Sequence, residues 1–328
     1  MKKFLKVLFL FIYIMAVGEF AMRAISSYIN IYDIEMLKYA KKLKKRSNNP
    51  SLSHEHTPGR QYKLMGVDIK LNSLGHRNLD LEYQKNNYER RIHIIGSSIT
   101  LGWGVEEKNT FSSILQKKLN LNQNIKKNIF VINGGIGNTN TQHHYHLLKD
   151  QVDLTKPDVI ILQYFINDAE IIKKKKNNII LKYSYFTAFL YNRFKTYNFS
   201  GTLSNYYAQM YDENNLGWRL AIDSIKNLQN LSKRKNIKLV ILFIPDFHNF
   251  SGDNQLVGLY EKIINKFEEM DITVINTYDS LSNEFKSDAR KSWVASDDPH
   301  PNSKAHKLIA NDLYNFLTDQ KNGSFFEY

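Results

Sequence analysis

Residues 91–105 read RIHIIGSSITLGWGV, and the rest of the chain is organised around them. Ile92, Ile94 and Ile95 form a short apolar run suited to a strand buried on both faces. The run stops at Gly96-Ser97-Ser98, and a Gly102-Trp103-Gly104 loop follows before a helical pattern from Thr110. A strand that breaks into Gly-Ser-Ser places a small hydroxyl residue at the carboxyl end of a sheet. In open α/β sheets that edge is where ligands and chemistry collect. A serine there becomes a nucleophile only when a base and an oxyanion site are supplied from elsewhere.

Outward from this stretch, β and α patterns alternate. Strands are expected at 91–95, 128–133, 158–163, 237–244 and 272–275, with helices at 110–120, 139–151, 217–235, 254–270 and 303–318. Alternation of this kind implies a three-layer α/β/α domain with a five-stranded parallel sheet. Five strands fit a flavodoxin-like order better than a barrel. An insertion at 169–216, rich in Tyr and Phe, interrupts the alternation. It reads as a lid, an acyl or glycan platform, a surface lying on a bilayer, or ordinary helix packing.

The amino terminus is basic (Lys2, Lys3, Lys6), and Val7 to Gly18 is uninterrupted apolar or small before Glu19 and Arg23. Residues 1–25 are therefore expected to be a signal anchor, with a cleaved export signal as the alternative. With the lysines ahead of the apolar run, the body is expected outside the cytoplasm, on a single-pass membrane protein. Residues 26–88 read as a helical stalk and a small β appendage, since Val67, Ile69 and Leu71 alternate with Asp68 and Lys70. The main domain is then 89–320.

Composition excludes several classes. The chain has no cysteine, so disulfides, thiolate zinc sites and lipidated cysteine are ruled out. The formal charge of +13 comes with a general richness in Lys, Asn and Ile. Its lysine clusters, 173–176 included, read as solvated faces, and no nucleic-acid module is visible, so nucleic acid is not an expected partner. His143, His144 and His146 are spaced i, i+1 and i+3, which does not place them on one helix face as metal ligands.

The residues just after each expected strand can converge on one edge. They are Gly96-Ser97-Ser98, then Asn133-Gly134-Gly135-Ile136, then Phe165-Ile166-Asn167-Asp168, then Pro245-Asp246-Phe247-His248. Asp297-Asp298-Pro299-His300-Pro301-Asn302 precedes the last helix. A serine, backbone donors, an asparagine amide and an Asp–His pair are the parts that acyl transfer requires.

Together these blocks resemble the SGNH (GDSL-like) hydrolase family, in its subgroup with an N-terminal membrane segment. The resemblance implies Ser98 as nucleophile, His300 as general base and Asp297, three residues before it, as the orienting carboxylate. It implies an oxyanion hole from the Ser98 and Gly135 N–H groups and the Asn167 side chain. Two positions depart from the family pattern: Ser97 stands for the usual Asp of the first block, and Phe165 for the usual Gly of the third. The implied activity is serine-dependent hydrolysis of O-acyl esters on a small molecule, glycan or lipid, without metal or organic cofactor. The alternatives are an O-acyltransferase acting on an envelope polysaccharide and a non-catalytic glycan- or lipid-binding protein of the same fold.

Overall fold

The computed structural model describes residues 1–80, 84–172, 179–197, 202–322 and 325; the lysine run at 173–176 and part of the 169–216 insertion lie outside them. The uninterrupted apolar amino terminus forms α1 (Lys2–Tyr28), long and apolar enough to cross a membrane. After a three-residue break comes α2 (Tyr32–Lys42), with Asp33 and Glu35 in its first turn and Lys41 and Lys42 in its last, a distribution that complements the helix dipole. The short strands β1 (Lys44–Lys45) and β2 (Glu55–His56) pair antiparallel. A hairpin of β3 (Gln61–Leu64) and β4 (Val67–Lys70) follows. Its two-residue turn, Met65-Gly66, holds both residues at positive φ (49° and 79°), as a right-twisted hairpin demands.

The main domain runs β5 (Glu89–Gly96), α3 (Ser98–Leu101), α4 (Phe111–Leu121), β6 (Asn128–Gly135), α5 (Thr141–Thr155) and β7 (Val159–Phe165). The insertion carries α6 (Ile179–Tyr183), α7 (Tyr185–Tyr197) and α8 (Leu203–Met210). The chain continues with α9 (Leu216–Lys235), β8 (Lys238–Ile244), α10 (Val257–Glu268), β9 (Thr273–Asn276) and α11 (Tyr278–Phe285). It closes with a hairpin of β10 (Trp293–Ala295) and β11 (Asp298–Pro301), then α12 (Ser303–Thr318).

The central sheet has the order β6-β5-β7-β8-β9, all parallel, which is the flavodoxin-like arrangement. Strand β5 is flanked on both sides, so Ile92, Ile94 and Ile95 can bury on alternate faces. Ile92 and Ile94 pack with Phe111, Leu115, Ile309 and Leu313 of α4 and α12. Ile95 joins Leu148, Trp218, Ile225 and Phe267 of α5, α9 and α10 on the other face. The order reverses at β5, because its successor β6 lies on one side and β7 on the other. The carboxyl end of β5 is thus the switch point where a cleft must open.

Residues 32–78 wrap the edge of this sheet. Tyr39, Leu43, Leu64, Ile69 and Leu71 form a third cluster that also contains Leu101 and Trp103, from just beyond β5. Arg77 is fully buried within the same region. Its guanidinium donates to the carbonyls of Leu101, Gly102, Asp68 and Val105 at 2.7–3.0 Å, satisfying acceptors in a buried turn.

Candidate active site

Strand β5 delivers Ser98 at a sharp strand-to-helix turn. Gly96 is required there, since a Cβ would lie 2.2 Å from Thr100 Oγ1 and 2.6 Å from Gln163 Oε1. Ser97 is the N-cap of α3 in extended conformation, and Ser98 is the first helical residue. Its backbone N–H therefore has no acceptor within the helix. Helix α3 ends after one turn because Gly102 adopts φ 76°. The departure at Ser97 is absorbed by Gln163: its Oε1 accepts from the Ser97 N–H (3.1 Å), the Ser97 hydroxyl (3.3 Å) and the Thr100 hydroxyl (3.1 Å).

Across the cleft, β11 presents His300. Ser98 Oγ lies 2.8 Å from His300 Nε2. His300 Nδ1 lies 2.5 Å from Asp298 Oδ1. Asp298 Oδ2 in turn accepts from Trp103 Nε1 at 2.8 Å. The carboxylate partner of the imidazole is thus Asp298, not the expected Asp297, which is exposed to solvent. The reason is the local backbone. The i, i+3 spacing suits a turn, but residues 298–301 are a strand, where positions i and i+2 share a face. Asp298 and His300 therefore point together into the cleft. Burial by itself would raise the Asp298 carboxyl, yet the bonds from His300 and Trp103 outweigh it and hold the group below the usual carboxylate range.

The wall of the cleft comes from a part of the chain in which the sequence carried no chemical signal. The Tyr32 ring, at the start of α2, lies 6.0 Å from the His300 ring and 6.5 Å from Trp103. Trp103 also sits 6.2 Å from His300 and 5.6 Å from Tyr39. Burial and the nearby Asp298 charge push the Tyr32 hydroxyl well above its ordinary value, so it stays a neutral wall. Tyr39 is locked by its hydroxyl, which lies 2.7 Å from His56 Nε2 and whose oxygen accepts from the Gly137 N–H at 2.9 Å.

The expected oxyanion donors are placed unequally. Gly135 ends β6 directly beneath α3: a Cβ on it would stand 2.0 Å from Leu101 N, so only glycine lets the two elements touch. Its N–H, however, donates to Asn133 Oδ1 at 3.1 Å. Asn167 lies two residues beyond β7, half-buried, with a buried Oδ1 that accepts no hydrogen bond among the described residues. A buried amide oxygen without a donor is costly, and the same side chain carries an NH₂ that can donate to an acceptor. Phe165, at the end of β7, is partly buried and packs against both core clusters.

A model of the GDSL-like lipase/acylhydrolase family matches residues 92–313. The chain belongs to that family. As a GDSL-like acylhydrolase it is an ester-hydrolysing enzyme. A search of curated proteins found no match. Among solved structures it is similar to TesA (12% identity, 70% of this chain and 98% of that one, TM-score 0.46). It is likewise similar to an acetyl xylan esterase, AlAXEase (16% identity, 69% and 98%, TM-score 0.43). A third is the esterase EstA from Pseudoalteromonas sp. (15% identity, 71% and 100%, TM-score 0.43).

Other polar residues of this GDSL-like domain have structural partners. His306 is buried and accepts from the Phe111 N–H at 3.1 Å, and burial depresses it to about 3. His143 Nε2 faces the His54 carbonyl (2.6 Å), and His144 Nε2 faces Thr139 Oγ1 (2.9 Å). Asp168, wholly buried, accepts from Thr141 Oγ1 at 3.1 Å and is raised well above the usual range by burial. His248 pairs with Asp246 at 2.8 Å on the rim, where that bond raises its basicity.

Proposed function

We propose that this chain is a membrane-anchored serine esterase in which Ser98, His300 and Asp298 act as one catalytic relay. The observation that carries the reading is the unbroken chain of contacts Ser98 Oγ–His300 Nε2 (2.8 Å) and His300 Nδ1–Asp298 Oδ1 (2.5 Å). With Nδ1–H donated to Asp298, the Nε2 lone pair faces Ser98 and can take its proton as Oγ attacks an ester carbonyl. The tetrahedral oxyanion would be met by the Ser98 N–H and the Asn167 amide, and by the Gly135 N–H once it leaves Asn133. His300 then gives its proton to the departing alkoxide, and the alcohol leaves. Water, deprotonated by His300, attacks the acyl-serine, and His300 returns that proton to Ser98 Oγ as the acyl–oxygen bond breaks and the acid leaves; a second hydroxyl entering at this step would make the same site a transferase.

The substrate we infer is an acylated glycan or lipid close to a bilayer. Helix α1 ends only four residues before Tyr32, which borders His300, so an anchored α1 would hold the cleft near the membrane surface. On this reading α1 is retained as a single-pass anchor with the domain outside the cytoplasm. Hydrolysis of p-nitrophenyl esters by the full chain in detergent tests the chemistry. Ser98→Ala and His300→Ala should each reduce kcat by about 10³ or more. A Ser98→Ala protein that keeps half its activity would remove the proposal.

A further inference from the structure

Helix α7 of the aromatic insertion docks on the anchor helix and, through Asn192 and Arg193, on Asp33 at the start of α2. Gly18 is a point of close approach: a Cβ there would lie 2.6 Å from the Phe186 ring, so a glycine lets α7 lie against α1. One residue on, the Glu19 carboxylate accepts from the Ser184 hydroxyl (2.8 Å) and the Phe186 N–H (3.0 Å), and it pairs with Arg23 at 2.7 Å. The first turn of α7 thus satisfies the charge that ends the apolar run.

Depth along α1 then fixes the depth of the insertion. At 1.5 Å per residue, Lys3 to Arg23 spans about 30 Å, the thickness of a hydrocarbon core. Glu19 falls about 6 Å short of Arg23, at the boundary between acyl chains and headgroups. Beside it, α6 and α7 expose Ile180 (64%), Leu190 (45%) and Tyr191 (53%) around an open apolar groove of about 440 Å³. Cations flank the same rings: Arg23 lies over the Tyr185 ring (4.5 Å), and Lys41 lies over Tyr183 (4.3 Å). An apolar face flanked by aromatic rings and cations is the composition of a segment that rests in a membrane interface.

From this we infer that the α6–α7 pair is an interfacial membrane element whose groove takes phospholipid acyl chains, fixing the height and tilt of the catalytic domain over the bilayer. The inference rests on the anchored reading of α1. It also narrows the substrate, because a domain held in this way offers Ser98 to esters displayed at the membrane surface.

The chain has no cysteine, so single cysteines can be added without removing any. Nitroxides would be placed at Ile12→Cys in α1, Ile180→Cys, Leu190→Cys, and Leu121→Cys, an exposed position at the end of α4. Each full chain would be reconstituted in nanodiscs of phosphatidylethanolamine and phosphatidylglycerol, and relaxation by oxygen and by a water-soluble nickel chelate compared. Labels at 12, 180 and 190 should all favour oxygen, with an oxygen-to-nickel ratio at least several-fold above that at 121. If 12 is lipid-like while 180 and 190 match 121, the interfacial inference is overturned and the anchor stands. If 12 also matches 121, both fall.

Discussion

The bond between Trp103 Nε1 and Asp298 Oδ2 makes a quantitative demand on the relay. Trp103→Phe keeps an aromatic ring between Tyr32, Tyr39 and His300 but removes the only donor that Trp103 offers a carboxylate with no solvent exposure. Hydrogen bonds to charged groups are worth about 1.5–3 kcal/mol, and a buried charge loses the whole of that when its partner goes. If the loss falls on the oriented, ionised form of Asp298, kcat/KM should drop by about 10- to 150-fold. The sign of the pH effect follows as well. Trp103 is among the groups that hold Asp298 below the usual range, so without it the carboxyl protonates at higher pH. The acid limb of the kcat/KM profile should move upward. Steady-state hydrolysis of p-nitrophenyl acetate from pH 4.5 to 8.5 measures both quantities. A Trp103→Phe enzyme within two-fold of wild type at every pH would refute the role given to this bond.

Two further outcomes follow from the same geometry. Asp298→Asn should reduce kcat by about 10³–10⁴, through loss of the imidazole's orientation, while Asp297→Asn, at an exposed position, should stay within two-fold of wild type; equal losses would contradict the assignment. Acid should also loosen the wrapped N-terminal segment, because burial depresses His54 to about 2, His56 to about 3, and His76 and His143 to about 4. These groups are neutral when folded, whereas the unfolded chain binds protons below about pH 6.5, so their stabilisation is full above that value and is lost as pH falls toward the folded values. Each contributes a loss of up to about 2 kcal/mol by pH 5. The Tm should fall steeply between pH 7 and 5, and a flat Tm across that interval would contradict the burial of these imidazoles.

The sheet was legible because its strands are short apolar runs closed by small residues. Ile92-x-Ile94-Ile95 and Val159-Ile160-Ile161-Leu162 have few other ways to bury both faces. The extra residues of β6 and β7, Gly134-Gly135 and Tyr164-Phe165, escaped notice because glycines read as turn and the aromatic pair as loop. The carboxylate was misplaced for a related reason. Asp298-Pro299-His300-Pro301 has the composition of a loop, with two prolines, and becomes a strand only by pairing with Trp293–Ala295 at an edge that tolerates proline. Here the two-residue Asp–His spacing is set by the strand, so the pairing had to be known first. The contributions of Tyr32, Tyr39 and Arg77 were invisible for another reason: each acts on residues far along the chain, and none carries a local pattern. The aromatic insertion gave its composition away but not its neighbour, since the docking onto Gly18 and Glu19 is purely tertiary.

The central claim is that Ser98 is an activated nucleophile, and covalent capture tests it most directly. The full chain in detergent micelles would be treated with a fluorophosphonate, with Ser98→Ala and His300→Ala alongside and peptide mapping of the adduct. The account predicts one adduct on Ser98 in the wild type, none in Ser98→Ala, and labelling slowed by about 10³ or more in His300→Ala. A folded wild-type protein that resists the probe, or an adduct that persists in Ser98→Ala, would contradict it.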